Sequence, residues 1–160
     1  MTIAAVAAPQ QLVTFRLADD QFAVDILAVE RVLRYSAPAA LPNLPTWIDG
    51  VIEHNGHVVP VIDLRTRFGL PRLPPRPEHR ILVLAVGDDL LGVTVDSVHE
   101  VMSVAAEDIA APPPLFRGLN ADYLRGLVYG EGSLIIFLDV SRVLTSSELI
   151  ELTSTTASHG

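Results

Sequence analysis

The sequence predicts an all-β protein of two small sheets or barrels related by approximate two-fold symmetry. Three observations point there. Short runs rich in β-branched residues recur along the chain between turn-forming pairs, one long segment is repeated in the second half, and helical periodicity is confined to short pieces.

The strand candidates are "QLVTFRL" (11–17), "QFAVDI" (21–26), "HVVPVI" (57–62), "RILVLAV" (80–86), "LLGVTV" (90–95) and "SLIIFL" (133–138). "ADDQ" and "VGDD" each separate two of them by a few turn formers, the signature of a hairpin. Pro60 inside a run predicts an edge position, or a place where the missing N–H costs nothing. "LAVERVLR", "DLRTRFG" and "DVSRVLTSSELIEL" read as short helices. The segments 36–46 and 105–122 are proline-rich loops, and residues 1–9 and 153–160 are expected to be flexible tails around a domain spanning 10–152.

The repeat is the most informative feature. Residues 47–68, "WIDGVIEHNGHVVPVIDLRTRF", align without a gap on 123–144, "YLRGLVYGEGSLIIFLDVSRVL". Trp47 falls on Tyr123, Gly50 on Gly126, Gly56 on Gly132 and Asp63 on Asp139. Each copy holds an aromatic anchor, a Gly, a strand, an x-Gly turn, a second strand, then Asp and a short helix. A weaker match sets "FAVDILAVERVL" (22–33) over "LGVTVDSVHEVM" (91–102), with Val24 on Val93, Val29 on Val98 and Val32 on Val101. One copy alone would be marginal; two packed around one apolar seam make a cooperative domain.

Bulk composition limits the function. A 160-residue chain, 49% hydrophobic, buries roughly 65–70% of its extended surface on folding. No apolar run approaches the ~20 residues that span a bilayer, and "MTIAAVAAP" lacks the basic start of a secretory signal, so no membrane insertion is expected. There are no cysteines, which excludes disulfides and thiol chemistry. A net charge of −8 argues against nucleic acid, and the cluster Arg72, Arg76, His79 and Arg80, threaded with prolines, reads as a solvated linker.

His54, His57 and Asp63 have the order of a metal site, H-x2-H-x5-D, and a small metal-dependent hydrolase is the reading they allow. Neither histidine recurs in the second copy, where Gly130 and Ser133 stand. The favoured reading is therefore two solvent-facing turn histidines. Asp63 and Asp139 recur between strand and helix, where a carboxylate accepts from an unpaired backbone N–H, so both are expected to be structural caps. The chain has no phosphate loop, no G-x-S-x-G, no H-E-x-x-H and no lysine at all. A non-enzymatic binding module without cofactor or metal is the expectation.

At the repeated segment the chain resembles the chemotaxis coupling protein family, the CheW-like domain. "GVIEHNGHVVPVIDLRTRFG" is similar to that family's G-x-x-N-L-R-G-x-[VI]-[VI]-P-V-[IV]-D-L-R-x-[RK]-[FL]-G. "FAVDILAVERVL", "LLGVTVDSVHEVMSVAAEDIAAPP" and the second copy resemble its other segments in the right order. The resemblance implies two pseudo-symmetric five-stranded β-barrel lobes around a shared core, with short helices. It implies a cytoplasmic, non-enzymatic adaptor at receptor arrays, joining the cytoplasmic tips of methyl-accepting chemotaxis receptors to the regulatory domain of a CheA-like histidine autokinase. One barrel would pair end to end with a barrel of the kinase, and a groove near the barrel junction would take the receptor tip.

Two departures are expected to bear on receptor recognition. The family's N-L-R-G turn is Glu53-His54-Asn55-Gly56 here, so Asn55 replaces its arginine, and Arg31 stands where the first-lobe glutamate belongs. Glu30 lies one place earlier and, on a helical turn, would point elsewhere. Ile26, Val29, Arg31, Gly50, Val51, Asn55 and Gly56 are the receptor-groove candidates. The expected output is chemotaxis or an alternative chemosensory array; a scaffold that binds only the kinase is the alternative.

Overall fold

The computed structural model describes residues 9–111, 124–130, 132–144 and 148. Eleven strands and one helix follow in chain order: β1 Gln10–Leu17, β2 Asp20–Asp25, β3 Val29–Arg34, β4 Gly50–His54, β5 His57–Asp63, α1 Leu64–Arg67, β6 Arg80–Val86, β7 Asp89–Val95, β8 Ser97–Val104, β9 Ile109–Ala110, β10 Leu124–Gly130 and β11 Ser133–Leu138. Single 3₁₀ turns cover Ile26–Ala28, Ala106–Asp108 and Val140–Arg142. Residues 1–8 and 149–160, which hold most of the expected tails, lie outside the described residues, as does half of the helix expected over 139–152, whose described start is the 3₁₀ turn Val140–Arg142.

The strands form two sheets, and neither sheet is one copy of the repeat. The first lobe has the order β8-β1-β2-β11-β10-β9 and the second β3-β6-β7-β5-β4. Each copy therefore lends its opening hairpin to the other copy's sheet. Parallel pairing makes the exchange: Phe137 sits opposite Ala23 in the first lobe, and Val61 opposite Gly92 in the second. These are the same pairing under the repeat. The resemblance implied five strands per lobe, and the first lobe has a sixth in the two-residue β9. Its counterpart in the second lobe is an isolated bridge between Ala39 and Val51.

Strand exchange leaves the central strands covered on both faces, so they read as continuous apolar runs. Alternation then distributes one strand over two cores. In β6, Leu82, Leu84 and Val86 enter the seam between the lobes, whereas Ile81 and Val83 fill the second lobe with Val59 and Val61. In β1 and β2, Val13, Phe15, Phe22 and Val24 face the seam, and Leu12 and Ala23 fill the first lobe with Val128, Ile135 and Phe137. Phe15 and Phe22 stack in the seam at 5.8 Å between centroids.

The helix expected over "LAVERVLR" is a strand after one 3₁₀ turn, and β8 is a strand the sequence reasoning missed. The cause is a bulge in the same place of each copy. Val29 sits opposite Leu84 and Arg31 opposite Val83, so β3 carries one extra residue there. Val13 and Phe15 of β1 oppose Val101 and Val98, so β8 does too. An inserted residue shifts the alternation, and Val29 and Val32, like Val98 and Val101, recur at a spacing of three that imitates a helix. Glu30 is thus a bulge residue rather than part of a helical turn. Pro60 lies on an interior strand, where Val51 opposite it turns its backbone to Ala39 and the ladder to β7 begins at Val61. Its missing N–H costs nothing.

The repeated glycines lie under the segments that close each lobe. A Cβ on Gly50 would stand 2.6 Å from the Ala39 carbonyl oxygen and 2.8 Å from Pro38 Cβ; one on Gly126 would stand 2.9 Å from the Ala110 oxygen. Backbone cannot move aside as a side chain can. Gly50→Ala is expected to cost about 1–3 kcal/mol in a urea melt, with binding-independent loss of the Ala39 bridge in amide exchange.

Candidate protein-interaction site

The receptor-groove candidates divide into three places. Ile26 and Val29 are half-buried and pack together against the seam between the lobes. Gly50 and Val51 are buried at the start of β4, held by the bridge to Ala39. Asn55 and Gly56 form the exposed β4–β5 turn, both at positive φ, 50° and 80°. Arg31 is exposed on β3, and its side chain makes no hydrogen bond or ion pair among the described residues. Asn55 reaches only its neighbour, Nδ2 lying 3.3 Å from His54 Nε2. Nothing joins Arg31 to Asn55.

The histidines do not form a metal centre. His54 is not solvent-facing as expected: it is 7% exposed, turned into the second lobe, while His57 opposite it is exposed. Asp63 stands at the far end of the same strand, and six residues of strand span roughly 20 Å. No group of three or more His, Cys, Asp or Glu able to hold an ion occurs among the described residues. Asp63 Oδ1 instead accepts from Arg65 N–H at 3.1 Å, and Asp139 Oδ1 accepts from Ser141 N–H at 3.1 Å. His79, expected in a solvated linker, is buried at 6% exposure, its Nδ1 accepting from Arg76 N–H and its ring edge-on to Tyr35.

Polar contacts from α1 tie the lobes together. Arg65 donates from Nε and Nη2 to the two oxygens of Asp96 at 2.8 and 2.7 Å. Asp96 sits between β7 of one lobe and β8 of the other, and also accepts from Ala18 N–H at 2.8 Å. Burial raises the cost of its charge, but the Arg65 and Ala18 hydrogen bonds outweigh this and hold its carboxyl below the usual carboxylate range. Arg65 is correspondingly raised, first by the same hydrogen bond. Two residues on, Arg67 grips Glu148 and donates to the Val143 carbonyl at 3.0 Å.

One residue that the sequence reasoning passed over stands out. Leu27 is 89% exposed, on the 3₁₀ turn beside Ile26 and Val29. It borders a cavity of about 300 Å³ that spans the lobes, with Ala28, Ala85, Leu138 and Val140 as apolar lining and Asp25, Arg125, Asp139 and Ser141 as polar lining. Under the repeat Leu27 occupies the place of Asp96. One copy uses the position to lock the lobes, and the other leaves an apolar side chain in water. The exposure of a leucine has no sequence signal; only the mismatch between copies hinted at it.

Two β lobes locked by a common core, with exposed apolar groups and no catalytic cluster among the described residues, define a binding scaffold. The chain belongs to the CheW-like domain family, whose model matches residues 11–148, and members of that family are non-catalytic adaptors of chemotaxis signalling. It is 30% identical over 146 residues to the chemotaxis protein CheW of Treponema pallidum, covering 89% of this chain and 86% of the relative. It is 36% identical over 151 residues to protein FrzA of Myxococcus xanthus, covering 91% and 92%. The crystal structure of the scaffolding protein TtCheW from Thermoanaerobacter tengcongensis superposes with a TM-score of 0.77 at 29% identity, covering 84% of this chain and 92% of that one.

A depressed carboxyl contributes stability that is present above its unfolded pKa and lost as pH falls through the folded value. Asp96 therefore stabilises the fold above about pH 4. Asp96→Asn is expected to lower stability by about 1–3 kcal/mol at neutral pH. The difference from wild type should shrink as thermal melts are repeated below about pH 4.

Proposed function

We propose that this chain is a non-enzymatic adaptor that joins the cytoplasmic tip of methyl-accepting chemotaxis receptors to the regulatory domain of a CheA-like histidine autokinase, in the cytoplasm. The carrying observation is the seam: strands exchanged between two lobes hold their outer ends and the cavity between them at fixed relative positions. A scaffold that transmits a shift from one partner to another needs that rigidity.

The inter-lobe cavity beside Leu27, Ile26 and Val29 is the surface we assign to the receptor helix. An exposed leucine next to a concave wall, part apolar through Ala28, Ala85, Leu138 and Val140 and part charged through Asp25, Arg125 and Asp139, gives a helix-in-groove contact its anchor. Gly50 and Val51 shape the second lobe, and Arg31, Asn55 and Gly56 offer a recognition edge outside the cavity. The unpaired state of Arg31 and the short reach of Asn55 favour a second reading, a scaffold that holds the kinase without the receptor. Pull-down with a kinase regulatory domain and a receptor tip fragment separates the two, and failure with both partners defeats the proposal.

Leu27→Glu adds charge at a site that makes no core contact. It is expected to weaken receptor-tip binding about tenfold or more by calorimetry, with kinase binding and melting nearly unchanged. Equal loss of both partners would place the groove elsewhere.

A further inference from the structure

The outer ends of the two lobes are built from equivalent residues but finished differently. At the end of the second lobe, Val59 and Val83 are fully buried, Leu33 and Leu90 pack against them, and His54 is 7% exposed. Under the repeat the first lobe has Ile135, Thr14, Met102, Gln21 and Gly130 in those places. The first lobe is left open there, as a cavity of about 370 Å³ lined by those five residues with His99, Glu100 and Ser133. Gly130 differs in chemistry from His54, whose imidazole fills the matching position. A Cβ on Gly130 would stand 3.1 Å from Met102 Cε and 3.2 Å from Ile135 Cδ1, so those two flexible side chains cover the glycine and form the cavity's apolar floor.

The open end is constructed rather than merely empty. Thr14, 3% exposed, lies at the β1–β8 bulge, where its hydroxyl donates to the Glu100 carbonyl at 3.0 Å and accepts from Glu100 N–H at 3.1 Å. Val83 in the other lobe offers no such seat. The Glu100 backbone is thereby fixed at the rim, and its exposed carboxylate has no ion pair or hydrogen bond among the described residues. Gln21 lies at the cavity wall with its amide equally unpartnered. The charge is also reversed between copies, because Arg31 occupies the position equivalent to Glu100. On the outer face of the same hairpin, Tyr129 and Leu134 pair across the strands, 77% and 37% exposed, one step from Gly130 and Ser133.

We infer that the open end of the first lobe is a docking pocket for an arginine or lysine side chain of a partner protein, with Glu100 and Gln21 as acceptors. The aliphatic stem of such a side chain suits Met102 and Ile135, and its cation meets the carboxylate at the rim. The neighbouring Tyr129–Leu134 pair gives apolar surface to the remainder of a loop, which a free small cation would not use. This surface is separate from the inter-lobe cavity and goes beyond the proposed receptor contact.

Amide NMR of the full chain, titrated with the capped tripeptide acetyl-Gly-Arg-Gly-amide, tests it. Saturable shifts are expected at the Gln21 side-chain amide, Gly130 and Ser133, weakening as salt rises from ~0.05 to ~0.5 M. The citrulline analogue, isosteric but uncharged, should bind about fivefold or more weakly, and Glu100→Gln should give a similar loss. Gly130→His, which installs the other lobe's plug, should abolish the shifts. If that variant fails to fold, the exposed Glu100→Gln still decides. Absence of shifts, equal shifts with citrulline, or unchanged affinity in Glu100→Gln overturns the inference. So would concentration-dependent shifts of the same groups without peptide that vanish in Arg31→Gln, because the occupant would then be a second copy.

Discussion

The parallel pairing of β2 with β11 and of β5 with β7 is the constraint on which the rest of the molecule depends. It joins the opening hairpin of each copy to the closing hairpin of the other, so neither lobe exists without both halves of the chain. The contact demands small residues at its centre. A Cβ on Gly92 would lie 3.0 Å from a Val61 methyl and 3.1 Å from an Ile81 methyl, and the same place in the other lobe holds Ala23 opposite Phe137. Exchange also creates the seam, because strands sandwiched between two cores must be apolar on both faces. Rigidity between the lobes is thus a property of topology before it is a property of any side chain.

Polar contacts then refine what topology sets. Asp96 lies where the chain passes from one lobe to the other, and Arg65 meets it with a two-pronged contact while Ala18 N–H supplies the third bond. Both side chains are largely shielded, at 11% and 16% exposure, so the pair is short of water and leaves few of its own groups unmet. The same short helix sends Arg67 toward the chain's closing segment. Four residues of helix capped by Asp63 therefore place two guanidinium groups where the halves meet.

The chemistry of the two copies diverges at a few positions. The positions that agree, Gly50 with Gly126 and Asp63 with Asp139, hold closing segments and helix caps in place. The positions that disagree are the chemically expressive ones: Asp96 against Leu27, Arg31 against Glu100, His54 against Gly130. Asp96 locks the lobes and His54 fills the end of one of them, whereas Leu27, Arg31 and Glu100 are exposed. Duplicated architecture lets one lobe serve as the internal control for the other.

The alternation and length of the apolar runs were enough to locate β1, β2, β5, β6, β7 and β11, because strands buried on both faces leave a continuous apolar trace. The aligned copies likewise exposed the two-fold repeat and the capping role open to Asp63 and Asp139. Periodicity says which way a side chain faces but not which strand lies beside it, so the exchange of hairpins could not be read from the chain. The bulges at Glu30 and in β8 were hidden for a related reason: one inserted residue turns a period of two into a spacing of three. His54 reads as exposed from its place beside a turn, but its burial, to 7% exposure, is set by tertiary packing that local sequence does not carry. Local sequence carries the pleat and the caps; long-range packing alone selects the partners, and the partners decide which surfaces remain open.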